Sequence, residues 1–264
     1  MSGPVVVGID GSASSPAVVE AAARAAERLG TGLRLAHALT WSSAQLPPGV
    51  PPWDPDGGAA RVRVTGPLAE AERRARRTAP GVDVTREVLI GEPVTVLESE
   101  ARTAVLTVVG GHRVTGLAAR LRGSVAGQLA ARGRCPVLVV RGRPAPTGPV
   151  VLADDTSPAA AGFAFAEAAR RGTDLVVLHP RTTTARSWTA LRERYPDVLV
   201  HGRRVRARTG RALVAASSGA QLVVIEARHR IADALPGAAA RTLVDHAHCP
   251  VAVIPAEGAG SWTR

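Results

Sequence analysis

Residues 105–123 read Val-Leu-Thr-Val-Val-Gly-Gly-His-Arg-Val-Thr-Gly-Leu-Ala-Ala-Arg-Leu-Arg-Gly, followed by Ser124-Val125-Ala126-Gly127 and, after a polar helix, by Cys135-Pro136-Val137-Leu138-Val139-Val140. A short β-branched run that breaks into glycines is the pattern of a buried parallel strand leaving the sheet, and Gly123-Ser124 opens the next helix. Strand, glycine-rich loop and helix start, in that order, make an anion site. Glycine lets backbone approach a ligand closely, and the free N–H groups of a first helical turn favour phosphate. Such a loop can equally do no more than turn the chain.

The same frame recurs. Cys249-Pro250-Val251 opens the last apolar run as Cys135-Pro136-Val137 opens the earlier one, and Leu222-Val223-Val224-Ile225 precedes it as Leu106-Thr107-Val108-Val109 does in the first copy. The chain therefore reads as a tandem duplication of one α/β unit. The boundaries expected are a first domain over 1–142, a stiff Pro-rich linker over 143–148, and a shortened second domain over 149–264.

Between these landmarks, apolar runs alternate with amphipathic segments. Strands are expected at Pro4–Ile9, Leu33–Leu39 and Val82–Ile90, and helices over Ser15–Leu29, Leu68–Ala79 and Val94–Ala104, with a long Pro- and Gly-rich loop over residues 42–58. In the second copy Val150–Asp155 repeats the first strand and Leu175–His179 the second, so that His179 answers His37. Short helices follow around Trp188–Tyr195 and Thr209–Ser217. No hairpin signal separates the strands, so the fold expected is two tandem doubly wound parallel-sheet domains, Rossmann-like and three-layered, α/β/α. Ligands of such sheets sit beyond the carboxyl ends of the strands, where Asp10, Ala38 and Gly110 fall.

Of 264 residues 45% are hydrophobic and only 3% aromatic, so the core is built from Ala, Val and Leu. The sequence has no lysine; all 33 basic residues are arginine, and the net charge is +11. The arginines are spread over helix faces rather than gathered in one stripe with aromatics, which argues against a nucleic-acid partner; the densest cluster runs from Arg203 to Arg211. No apolar run reaches membrane-spanning length and the two cysteines read as buried apolar residues, so a cytoplasmic protein with free thiols and no membrane partner is expected.

Val7-Gly8-Ile9-Asp10-Gly11-Ser12, His37-Ala38, Gly91-x-Pro93, Val108-Val109-Gly110, Gly123-Ser124-Val125 and the two Cys-Pro-Val-x-Val runs together resemble a universal stress protein of the tandem type, over essentially the whole chain. Nucleotide-binding members of that family carry Gly, two residues, Gly, nine residues, then Gly and Ser or Thr. Gly110 and Gly123-Ser124 hold the outer positions, and Arg113 stands at the second glycine. The resemblance implies that Asp10 holds the adenosine part, that backbone at Ala38 meets the adenine edge, and that Gly110, Gly123, Ser124 and Val125 cradle phosphates with His112 beside them. Arg113 either adds charge to the phosphate grip or closes the loop with its side chain. The implied ligand is ATP or a related adenine nucleotide, alone or with Mg²⁺.

In the second copy Glu226 replaces the first glycine and would repel phosphate, while Ala238 follows Gly237 in place of the serine; no nucleotide is expected there. The family resemblance also implies antiparallel pairing of the two last strands within the chain, Val137–Val140 with Val251–Ile254. A further homodimer contact and an unnamed protein partner are compatible with it.

Other chemistry reads weakly. Asp245-His246-Ala247-His248-Cys249 has metal-ligand residue types but fits a helix end, and Asp154-Asp155 fits a solvated turn. Ser124 is not centred as a nucleophile elbow requires, and a Walker loop needs a lysine. No catalytic residue and no metal site are expected. The function expected is non-enzymatic adenine-nucleotide binding by the first domain, the alternative being an interaction module of the same fold that binds no nucleotide.

Overall fold

The computed structural model describes residues 3–12, 15–40, 58–111, 125–132, 134–153, 157–180, 188–205, 210–227 and 238–256. The chain divides into two compact units, Ser2–Val109 and Gly110–Arg264. Most of the loop expected over residues 42–58, and the Asp154-Asp155 pair, lie outside the described residues.

In the first unit the elements run β1 (Val5–Gly8), α1 (Ser15–Leu29), β2 (Leu33–Leu39), α2 (Gly58–Thr78), β3 (Val84–Ile90), α3 (Pro93–Glu100) and β4, which spans Leu106–Gly110. All four strands are parallel, in the order β3-β2-β1-β4. The chain steps outward from β1 to β3 and then returns to the far side of β1. Right-handed crossovers put the outward helices and the returning helix on opposite faces, and α1 accordingly packs against α2 while α3 packs on β2. Val5, Val6 and Val7 are fully buried, as a strand covered on both faces must be.

Small side chains let the helices come close: Ala22, Ala23 and Ala26 of α1 have no exposed surface. Helix α2 starts at Gly58, ahead of the expected start at Leu68, and runs through Pro67. One missing backbone hydrogen bond at that proline is offset by side-chain ties, among them Arg74 to Glu20 of α1 at 2.7 Å and Arg86 to Glu72 at 2.9 Å. On the other face Arg34 of β2 donates to Glu100 of α3 at 2.8 Å.

The second unit holds α4 (Val125–Arg132), β5 (Val137–Val140), β6 (Val150–Leu152), α5 (Pro158–Arg171), β7 (Leu175–Pro180), α6 (Thr189–Arg194), β8 (Val200–Val205), α7 (Gly210–Ser217), β9 (Leu222–Ala227), α8 (Ala238–His246) and β10, which spans Val251–Pro255. Its strand order is β5-β10-β9-β6-β7-β8. Strands β6 to β9 repeat the winding of β1 to β4, and every pairing is parallel except the one between β5 and β10. The sequence indicated no strand at β8.

The β5–β10 ladder is antiparallel, with Val139 opposite Val251, Leu138 opposite Ala252 and Val137 opposite Val253, the pairing that the resemblance implies. Cys135 and Cys249 precede opposite ends of that ladder; both are buried and neither forms a disulfide. Beyond β5 the chain is fastened to the end of α8. Arg141 Nε donates to the Ala247 carbonyl at 2.9 Å and its Nη1 to the Val244 carbonyl, so a guanidinium meets carbonyls that a helix terminus leaves unpaired. Arg143 N donates to the His248 carbonyl at 2.9 Å. Between them Gly142 has φ +59°, and a Cβ there would run into that same carbonyl.

Helix α5 is the most enclosed of the helices among the described residues. Ser157 Oγ accepts from Ala160 N at 3.2 Å and Pro158 opens the helix. Every residue from Ala160 to Ala168 is buried, including Glu167, whose carboxylate is held by Arg171 at 3.0 Å.

Two predictions follow from this packing. Gly142→Ala forces a left-handed backbone on an L-residue and displaces the His248 carbonyl, and should destabilise the protein by about 3 kcal/mol; a Tm within about 1 °C of wild type would contradict the fastening described. Burial pushes the Cys249 thiol up to about 12 from an ordinary value of 9.0, against smaller opposing effects of the Val223 backbone and Arg171. Between those values unfolding releases a proton, so stability falls as pH rises through that window. No lysine competes there; the side chains that do are one tyrosine and the second free thiol, Cys135. The stability lost between pH 8 and pH 10.5 in urea melts should therefore be about 2 kcal/mol smaller in Cys249→Ala than in wild type; an undiminished loss in the variant would contradict this assignment.

Candidate functional site

Because β1, β2 and β4 run parallel, their carboxyl ends share one edge. Asp10 follows β1, Ala38 lies near the end of β2 and Gly110 is the last residue of β4. The sequence pattern places these three at the strand ends, and the structure finds them there.

The strands do not stop level. The β1–β2 ladder ends with Gly8 opposite Ala36, while β2 continues to Leu39 against β3. Ile9 N donates to the Ala36 carbonyl at 2.9 Å, so the backbone groups of Ala36 face β1; Gly91 N donates to the Leu39 carbonyl at 3.0 Å, so those of Leu39 face the other side. Backbone groups alternate along a strand, and the N–H and C=O of Ala38 therefore turn toward the β1 side, past the last β1 pair. A donor and an acceptor side by side at a strand end match the hydrogen-bonding edge of a planar heterocycle.

Asp10 is set beside this edge by a clamp on Ile9. Ile9 N is tied to Ala36, and the Ile9 carbonyl accepts from His37 Nδ1 at 2.8 Å, which fixes the proton on that ring nitrogen. Gly11 then takes φ +73°, a conformation glycine adopts without strain, with open space where a Cβ would stand. Asp10 Oδ1 accepts from Ser12 N at 3.0 Å and from Ser15 Oγ at 2.9 Å, so the exposed carboxylate organises the start of α1. An exposed carboxylate in a fixed pose suits sugar hydroxyls, which donate hydrogen bonds. The His37 tie is the feature that sequence reading missed; only the His-Ala dipeptide at a strand end pointed to it.

Val125 opens α4 and is half-buried. His112, Arg113, Gly123 and Ser124 lie outside the described residues. In the second unit His179, next to last in β7, is almost fully buried, Glu226 sits in β9 opposite Ile254, and Ala238 opens α8; Gly237 and Asp155 lie outside the described residues.

Among the described residues no three His, Cys, Asp or Glu side chains gather as a metal site. The Asp245–Cys249 segment forms the end of α8, where His248 N donates to Ser217 Oγ at 2.9 Å and the neighbouring carbonyls receive Arg141 and Arg143. Among the described residues no helix is long and apolar enough to cross a membrane.

A model of the universal stress protein family matches residues 1–141 and again residues 181–255. The chain belongs to the universal stress protein family. It is 34% identical over 285 aligned residues to universal stress protein Rv2623 of Mycobacterium tuberculosis, covering 94% of this chain and 95% of that one. A universal stress protein of Mycolicibacterium smegmatis is 31% identical over 291 aligned residues, with 95% and 96% covered. In fold the chain is similar to the crystal structure of a universal stress protein from Archaeoglobus fulgidus, with a TM-score of 0.75 over 96% of each chain at 16% identity. Family membership thus accounts for the two-fold repeat, the parallel sheets and the strand-end loops of this universal stress protein.

If the Ile9 clamp sets the Asp10 loop, His37→Ala should lower stability by about 1 kcal/mol and speed amide exchange at Asp10, Gly11 and Ser12. Unchanged exchange at those three amides would show that the loop is held by something else.

Proposed function

We propose that this universal stress protein binds ATP or a related adenine nucleotide through its first domain, residues 1–142, and that the domain over 149–264, joined by 143–148, serves as its structural partner. The observation that carries the reading is the backbone of Ala38, turned past the end of β1 beside the fixed carboxylate of Asp10. In this reading the Ala38 N–H and C=O meet the adenine edge and Asp10 accepts from the ribose. Backbone N–H groups at Gly110, Gly123, Ser124 and Val125 hold phosphates, aided by the charge of His112 and Arg113. A bound nucleotide supplies a ligand-dependent state of the protein, and no catalytic step is assigned; Mg²⁺ accompanies the phosphates where the nucleotide carries it.

The second copy keeps the fold without the site. Glu226 stands at the position of Gly110 and Ala238 at that of Ser124, so one carboxylate is added and one hydroxyl donor removed where phosphates would lie. We place the protein in the cytoplasm on the family reading.

Isothermal titration with ATP tests the proposal. Wild type should give one saturable site per chain, Gly123→Val should lose at least about tenfold in affinity, and Glu226→Gly should leave the stoichiometry at one. No heat in wild type, or a site that survives Gly123→Val undiminished, would overturn it and favour an interaction module that binds no nucleotide.

A further inference from the structure

Strand β8 ends the strand order of its unit and pairs only with β7, in the register Val177 to Gly202, Leu178 to Arg203 and His179 to Arg204. In a parallel ladder the N–H and C=O groups of alternate residues point away from the neighbour, so β8 presents a row of backbone donors and acceptors with no partner strand among the described residues. Its residues 201–204 are exposed, and Leu199, just ahead of it, is 61% exposed. Arg203 and Arg204 are consecutive and therefore lie on opposite faces of the sheet at the same edge. Nine of the chain's 33 basic residues fall between positions 181 and 211, against two carboxylates, Glu193 and Asp197.

We propose that the β8 edge is a docking site for an acidic, extended peptide segment of a partner protein, which adds to the sheet as a further strand. The backbone row supplies hydrogen bonds, and consecutive carboxylates of the incoming strand, one on each face, meet Arg203 and Arg204. Leu199 offers an apolar contact at one end. Charge complementarity selects this occupant over a second copy of the chain, since two β8 edges side by side would oppose arginine to arginine. It is also selected over single-stranded nucleic acid, whose recognition leans on stacking bases upon exposed rings. The ring that lies between α6 and β8 is already engaged: Tyr195 stacks on Phe165 at 6.2 Å and carries Arg194 over its face at 5.6 Å.

Fluorescence anisotropy with a labelled peptide of repeated Glu-Glu-Val-Val, which sets carboxylates on both faces, tests this on the full chain without nucleotide. Saturable binding that weakens with added salt is expected, reduced about tenfold or more by Arg203→Glu/Arg204→Glu and unchanged by Arg102→Glu/Arg132→Glu, which alters two exposed arginines elsewhere. The same peptide N-methylated at alternate residues should lose about tenfold on wild-type protein, a result that does not depend on how the variant folds. Equal binding by the methylated peptide, undiminished binding by the β8 variant, or tighter binding of oligothymidylate than of the peptide would each overturn the proposal.

Discussion

Strand β1 stops at Gly8 while its neighbour β2 continues to Leu39, and the candidate site depends on that difference in length. A sheet satisfies its own backbone as long as strands run side by side; where one leaves early, the other is left with groups that need a partner. Ala38 is the residue in that position. The clamp on Ile9, tied to Ala36 through its N–H and to His37 through its carbonyl, makes the departure of β1 abrupt and holds Asp10 at the break. A rigid scaffold thus delivers a backbone edge and a carboxylate to one place with little left to order on binding, the condition under which a small ligand gains affinity.

The second unit uses the same winding for a different end. Its last strand does not stop at an exposed edge but pairs antiparallel with β5, a strand contributed by the first copy of the repeat. Arg141, Gly142 and Arg143 then continue from β5 onto the end of α8, so helix carbonyls near residues 244–248 are satisfied by residues more than a hundred positions earlier. Duplication supplies two equivalent strands, and their pairing removes two apolar edges that would otherwise invite association. In the proposed reading the second copy holds no nucleotide, and Glu226 and Ala238 are residue types that oppose a phosphate site.

Much of this was legible in the sequence because burial on both faces writes itself as apolar runs. Leu33–Leu39 is bounded by glycine and matches β2 residue for residue, and the Cys-Pro-Val runs mark β5 and β10. Strand β8 was not legible: Val-His-Gly-Arg-Arg-Val is polar on both faces, as suits a strand at the rim of a sheet, and neither period stands out. Helix α2 was shortened in the reading because Pro67 and the residues before it carry loop composition, whereas Arg74 and Arg86 hold the helix through ion pairs that no local pattern announces. At the site, residue types and spacing pointed to Asp10, Ala38 and Gly110. The His37 tie that sets Asp10 joins two strands through a side chain and a carbonyl, and only the folded register brings them together.

In the proposed reading the backbone of Ala38 beside Asp10 receives an adenine nucleotide and the second copy does not. Amide chemical-shift mapping with ATP tests it most directly. Saturable shifts are expected at Asp10, Ala38, Gly110 and Val125, with Ala153, His179 and Ala227 left in place. Shifts confined to the second copy, or none at Ala38 with ATP in excess, would contradict it.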